Sequence, residues 1–143
     1  MKRDKYDAIL SDIVRLRANF ICEKCSIIDP EGQAKFKSLY MQASHFRGRG
    51  SGLIARFDTD NVRCLCASCH AFLENRPDDH AYFLENLLGE TRYENMRSRC
   101  NKSIKLPKPL KEEMYYHYKS EYKRLVEMRK NGNTEYIELV NYF

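Results

Sequence analysis

Two C-x-x-C pairs, Cys22/Cys25 and Cys66/Cys69, stand 40 residues apart in a chain of 143. Each pair can present two thiolates from one tight knuckle, and two knuckles supply the four tetrahedral ligands of structural zinc. One such pair arises readily by chance among six cysteines; two pairs bracketing a common segment point to a metal site rather than to ordinary buried thiols. Cys64 and Cys100 are left over and read as core thiols, with Cys64 sharing a face with Cys66 if Val62–Cys66 is extended.

The surroundings of the cysteines favour the same reading. No apolar run approaches the length of a membrane span, and Met1–Tyr6 leads into a charged amphipathic stretch rather than an apolar signal core. The expectation is a cytoplasmic chain without a membrane span, where thiols stay reduced and metal binding precedes disulfide formation as an explanation. Cys66–His70 also spells C-x-x-C-H, the attachment signature of c-type haem. A cytochrome is the remote alternative, because it requires export and leaves Cys22 and Cys25 without a role.

Around the cysteines the pattern is mixed. Tyr6, Ile9, Leu10, Ile13, Val14, Leu16 and Phe20 recur at three- and four-residue spacing, opposite Asp4, Lys5, Asp12, Arg15 and Arg17, which predicts an amphipathic helix of about four turns. Asp29–Gly32 reads as a turn, and Phe36–Phe46 as a strand with partial alternation. Arg47–Gly52 is a glycine-rich loop, Leu53–Phe57 a short second strand, and Asp58–Asn61 a turn. Later helices are expected after Cys69-His70, from Asp79 to a stop at Gly89, and from a capping box at Thr91–Glu94. Lys102–Pro109 reads as a linker. A long helix follows, carrying Leu110, Met114, Tyr118, Tyr122, Leu125 and Val126 on one stripe and stopping at Gly132. The predicted class is α+β.

Charge divides the chain unevenly. Arg92–Lys130 holds 12 basic and 5 acidic residues, whereas the remainder is slightly acidic within an overall net charge of +5. A local excess of this kind is the footprint of a nucleic-acid binder or of a solvated helix surface. The expected division is an N-terminal helix plus zinc-bound core over 1–76 and a basic helical lobe, for DNA binding or dimerisation, over 77–143.

Inside the bracketed interval lie the groups suited to chemistry. His45 ends the first expected strand and His70 directly follows the last cysteine, so a zinc tie would turn both toward one small cleft. Neutral imidazole serves as a general base or as a metal ligand near neutral pH. The order His45, a Gly/Arg loop, Asn61, then Leu65-Cys66-x-x-Cys69-His70 resembles the HNH, or His-Me finger, nuclease superfamily in its zinc-stabilised form. That form includes the endonuclease VII type of junction resolvase. Gly48–Cys69, with Arg56-Phe57-Asp58 and Asn61 ahead of the second cysteine pair, is similar to the lambdoid phage NinG/Rap recombination nucleases.

The resemblance implies a zinc-stabilised ββα-metal core, with an N-terminal helix and a basic helical C-terminal lobe. It implies an endonuclease hydrolysing DNA phosphodiester bonds to 5′-phosphate and 3′-hydroxyl ends, acting on branched recombination intermediates such as Holliday junctions or D-loops in a bacterial or phage-infected cell. His45 would be the general base and Asn61 would hold its loop. His70 would ligate catalytic Mg²⁺ or Mn²⁺, and Cys22, Cys25, Cys66 and Cys69 would ligate structural zinc. Arg56, on its expected strand, would steady the pentavalent phosphate. Arg47 and Arg49 in the loop, with Lys111, Lys119, Lys123 and Arg124 in the long helix, would contact the DNA backbone. Symmetric cutting of a junction favours a homodimer. One departure matters: Ser44, a weak neutral ligand, stands where the family has an aspartate, which leaves Asp58 and Asp60 as candidate carboxylates. It also sustains the alternative of a zinc-folded DNA-binding module without catalysis.

Overall fold

The computed structural model describes residues 2–28, 30, 31, 38 and 40–143. The expected Asp29–Gly32 turn and the beginning of the strand expected from Phe36 fall partly or wholly outside those residues. Helix α1 (Lys5–Arg17) starts on a reciprocal cap: Asp4 accepts from the amides of Tyr6 and Asp7, and the Asp7 carboxylate accepts from the amide of Asp4. Its Ile9, Leu10, Ile13 and Val14 are buried. Arg17, placed by periodicity on the polar side, is only 1% exposed. Its guanidinium donates to the carbonyls of Thr59 and Val62 at 2.8 and 2.5 Å and faces Glu23, so it bolts α1 to the following sheet.

The short helix α2 is Glu23–Ile28, and the one sheet among the described residues is an antiparallel pair of β1 (Gln42–His45) and β2 (Val62–Leu65). Gln42 lies opposite Leu65 and His45 opposite Val62. Between the strands run a 3-10 turn at Arg49–Ser51 and α3 (Leu53–Phe57). The strand expected at Leu53–Phe57 is therefore corrected to a helix. Five apolar-rich residues carry too little periodicity to decide, and the ladder place beside β1 goes to Val62–Leu65, all four residues of which are buried.

Three helices follow: α4 (Ala67–Glu74), α5 (Pro77–Leu88) and α6 (Glu90–Cys100). The caps expected at Asp79 and Thr91 are corrected as well. Helix α5 begins with Pro77 at its first turn, where a missing N–H costs nothing, and α6 begins directly from Gly89 at φ +84°, without a side-chain cap. Residues 102–107 have no regular structure, after which α7 (Lys108–Lys130) packs along α1, burying Met114, Tyr118 and Leu125. Gly132 at φ +90° stands just beyond its end.

Both cores cross residue 76. The larger joins α1, β2 and α4 to α7 and to Ile137 and Leu139 of the C-terminal segment. The smaller joins Ile54 and Ala55 of α3 to Leu84, Tyr93, Met96 and Cys100 of α5 and α6. Among the described residues no helix is long and apolar enough to cross a membrane.

Candidate functional site

Cys22 precedes α2 and Cys25 lies within it; Cys66 is the N-cap of α4 and Cys69 lies in its first turn. The four sulfurs all fall within 4.8 Å of one another. Cys25 Sγ is 3.8 Å from Cys66 Sγ and 3.5 Å from Cys69 Sγ. Four sulfurs about 2.3 Å from a tetrahedral zinc would be separated by about 3.8 Å, so the spacing fits that ion. The donor set is soft and closed at four thiols, which suits a metal such as zinc and not a hard oxygen-seeking dication. Burial raises the Cys66 thiol, but hydrogen bonds from the Ser68 hydroxyl and the Cys69 amide outweigh it and bring it down to about 6. Burial pushes Cys25 up to about 11. The two thiols of the haem-attachment pattern thus sit against Cys25 rather than on an open surface. Cys64 and Cys100 are buried in the two cores, and burial pushes Cys100 up to about 12.

The cysteine cluster joins α2 to the start of α4, and α4 packs beside β1, where the two histidines line one cleft. A cleft of about 500 Å³ is lined by His45 and His70, by Gln42 beside them, and by a wall of α1. A neighbouring hollow of about 470 Å³ shares His45 and His70 and adds Ser44, Glu74 and His80.

His45 Nε2 lies 2.9 Å from the carbonyl of Arg56. A carbonyl can only accept, so this contact requires Nε2–H and leaves Nδ1 as the basic nitrogen of the neutral ring. Burial holds the His45 pKa below its ordinary 6.5, opposed by the Arg56 carbonyl and reinforced by Arg49. His70 Nδ1 is 2.5 Å from Gln42 Oε1, which orients that ring and leaves its Nε2 for a ligand.

Asn61 is fully buried and ties down the loop that follows β1. Its Nδ2 donates to the carbonyls of Arg47 and Ala55 at 2.9 and 2.6 Å, and its Oδ1 accepts from the Arg47 amide at 2.8 Å. The Phe46 amide donates to the Asn61 carbonyl, closing the loop immediately after His45.

The charged candidates are arranged differently from expectation. Arg56 stands on α3, not on a strand, and its guanidinium is clamped on Asp7, with Nε to Oδ1 at 2.8 Å and Nη2 to Oδ2 at 2.5 Å. That bidentate pair occupies the fork intended for phosphate; what Arg56 offers the site is its carbonyl. Asp58 and Asp60 are also unavailable as metal ligands. Asp58 is fully buried under Arg99, while Asp60 is held by Arg92, Arg99 and Arg63. Burial alone would raise the Asp60 carboxyl, but these arginines, Arg92 foremost, hold it below its usual range. An Asx turn, with the Asp60 amide on Asp58 Oδ1 at 2.9 Å, accounts for their sequence signal.

Arg47 donates to Asn101 Oδ1 at 2.5 Å, and Arg49 reaches Asp7 at 3.2 Å while lining the cleft. Lys111, Lys119, Lys123 and Arg124 stand on α7, apart from both hollows. Lys111 lies over Tyr6 and Lys119 over Tyr115, at 5.3 and 5.8 Å from the ring centroids, and Arg124 is held by Glu121 and the Glu138 carbonyl.

Several lining residues were not singled out from sequence. Glu74 follows His70 by four residues, a helical spacing that could have drawn attention to it. His80 is 6% exposed, and its Nε2 has no hydrogen-bond partner among the described residues. Burial, reinforced by His70, pushes its pKa down to about 4. Gln42 and Arg3 carried no local signal, and Arg15 only its place on the polar side of α1. Comparison of the chain with known protein families, curated proteins and solved structures gives no match.

Proposed function

We propose that this chain is an HNH-type, His-Me finger endonuclease, with a zinc-tied ββα-metal core made by β1, β2 and α4. The observation that carries the reading is His45: a half-buried imidazole in an open cleft, held by the Arg56 carbonyl so that Nδ1 is the basic nitrogen, beside a second histidine oriented by Gln42. His45 Nδ1 accepts a proton from water as the water oxygen attacks the scissile phosphorus. The bond from phosphorus to the 3′-oxygen breaks, that oxygen takes a proton from solvent, and 5′-phosphate and 3′-hydroxyl ends result. Asn61 keeps the loop after His45 in place.

His70 would hold the divalent cation, and Glu74, one helical turn later on the same hollow, is the accessible carboxylate that can join it where Ser44 is weak. Mg²⁺ or Mn²⁺ bound there would supply Lewis-acid stabilisation of the leaving oxygen. The likeness to NinG/Rap and endonuclease VII extends the reading to branched DNA.

The test uses labelled linear duplex, nicked duplex, D-loop and four-way junction DNA with Mg²⁺, with Mn²⁺ and with chelator. Wild-type protein is expected to cut with either metal. His45→Ala should lower the rate by about 10²- to 10⁴-fold, the usual worth of a positioned general base, with zinc content and thermal midpoint unchanged. Glu74→Gln should raise the Mg²⁺ concentration needed for half-maximal rate. Binding without scission by the wild type under every condition would replace this reading with that of a non-catalytic DNA-binding module.

A further inference from the structure

We propose that α1 is the wall on which one strand of nucleic acid lies, with Arg3 and Arg15 holding phosphates on either side of the His45/His70 centre. The inference deepens the nuclease reading, from which it takes the nature of the ligand. Helix α1 carries two stripes. Ile9, Ile13 and Val14 face the core, while Asp7, Ser11 and Arg15, spaced four residues apart, line the cleft that contains His45 and His70, and Arg3, just ahead of the Asp4 cap, extends that row. At 1.5 Å per helical residue the stretch from Asp7 to Arg15 is about 12 Å long. A strand of duplex DNA rises about 3.4 Å per nucleotide along the axis, so the helical part of the row spans about three to four nucleotides.

The row is cationic where it meets the cleft. Arg3 donates to the uncharged Ser11 hydroxyl at 2.8 Å, so no carboxylate offsets it through that contact. Arg15 pairs with Asp12, a half-exposed residue that does not line the cleft, at 2.7 Å. Asp7 is the one acidic residue in that lining, and it is already shared by Arg49 and Arg56. A flexible polyanion threading past the two histidines would therefore meet arginine forks at both ends of the row, which suits phosphate recognition. The cationic α7, by contrast, supplies no side chain to this cleft.

The experiment is equilibrium binding of labelled single-stranded and duplex DNA by fluorescence anisotropy, in chelator so that no cutting intervenes, as salt is raised from about 50 to 200 mM. Each lost phosphate contact should reduce the slope of log K against log salt by about 0.7 for a single strand and 0.9 for duplex. Arg3→Gln/Arg15→Gln should lose about twice that, and Arg15→Lys should retain the slope. Circular dichroism melting checks that each variant is folded; if the double variant is not, the two single variants are read separately. A wild-type slope in the folded variants, with the loss appearing instead in Lys119→Ala/Lys123→Ala, would overturn the proposal. Failure of wild-type protein to cut any DNA removes the nuclease reading but leaves this slope measurement intact.

Discussion

Cysteines of one chemical type have two fates here, decided by company rather than by identity. Cys22, Cys25, Cys66 and Cys69 converge from two knuckles, whereas Cys64 and Cys100 are enclosed by apolar neighbours. Zinc purified with the protein should number one per chain, and Cys22→Ser or Cys66→Ser should abolish it, as measured by atomic absorption. Structural zinc supplies roughly 10–16 kcal/mol of apparent binding free energy at neutral pH, so those variants and chelator-treated protein should also lose their cooperative thermal transition. Cys100→Ser should keep the metal. This assignment was readable from spacing, because a knuckle is made by residues three apart. So was the convergence of His45 and His70, since a tie between the knuckles sets the helix carrying His70 against the strand carrying His45. The role expected of Arg56 was not readable: its partner Asp7 is 49 residues away, and nothing local distinguishes a committed guanidinium from a free one.

Between elements, the clamp of α3 on α1 rests on that same Asp7–Arg56 pair. Burial alone would raise the Asp7 carboxyl, but hydrogen bonds from Arg56 and the Asp4 amide, with the charge of Arg49, bring it to about 2 from its ordinary 3.8. A carboxyl depressed on folding contributes stability that is fully present above its unfolded value and is lost as pH falls toward its folded value. The pair should therefore stabilise the protein above about pH 4 and cease to do so near pH 2. Urea unfolding across that range should show Asp7→Asn less stable than wild type at neutral pH, with the gap closing in acid. The helix itself was hidden for a related reason. Leu53–Phe57 offers an apolar run too short for its period to be counted, and the choice between strand and helix was settled by β2 taking the ladder place.

Across the whole molecule, the C-terminal segment returns to close the fold. The Ile137 amide donates to the Arg17 carbonyl at 3.0 Å, and His117 Nε2 lies 2.7 Å from the Val140 carbonyl. Ile137 and Leu139 enter the larger core. Deleting 136–143 removes two buried aliphatic side chains worth about 1.5–3 kcal/mol each, so unfolding free energy should fall by about 3–6 kcal/mol while bound zinc is retained. Calorimetry with a zinc assay checks both. The charge balance reads differently at this scale too. Arg92 and Arg99 of the basic region face inward onto Asp58 and Asp60, and Arg129 donates to the carbonyls of Leu16 and Arg17. A sum over residues counts such cations as surface charge, although folding has already paired them.

From sequence alone came what depends on short spacing: the cysteine knuckles, the α1 stripe, the Met114, Tyr118 and Leu125 part of the α7 stripe (Leu110 and Tyr122 are exposed), the histidine–asparagine–histidine order and the α+β class. Tertiary structure alone decided which arginines are committed, which carboxylate stands open beside His70, and that α1 rather than α7 walls the cleft. Period and knuckle geometry are written into residues a few positions apart. An ion pair or a cleft wall joins residues tens of positions apart, and their meeting depends on how every intervening element packs.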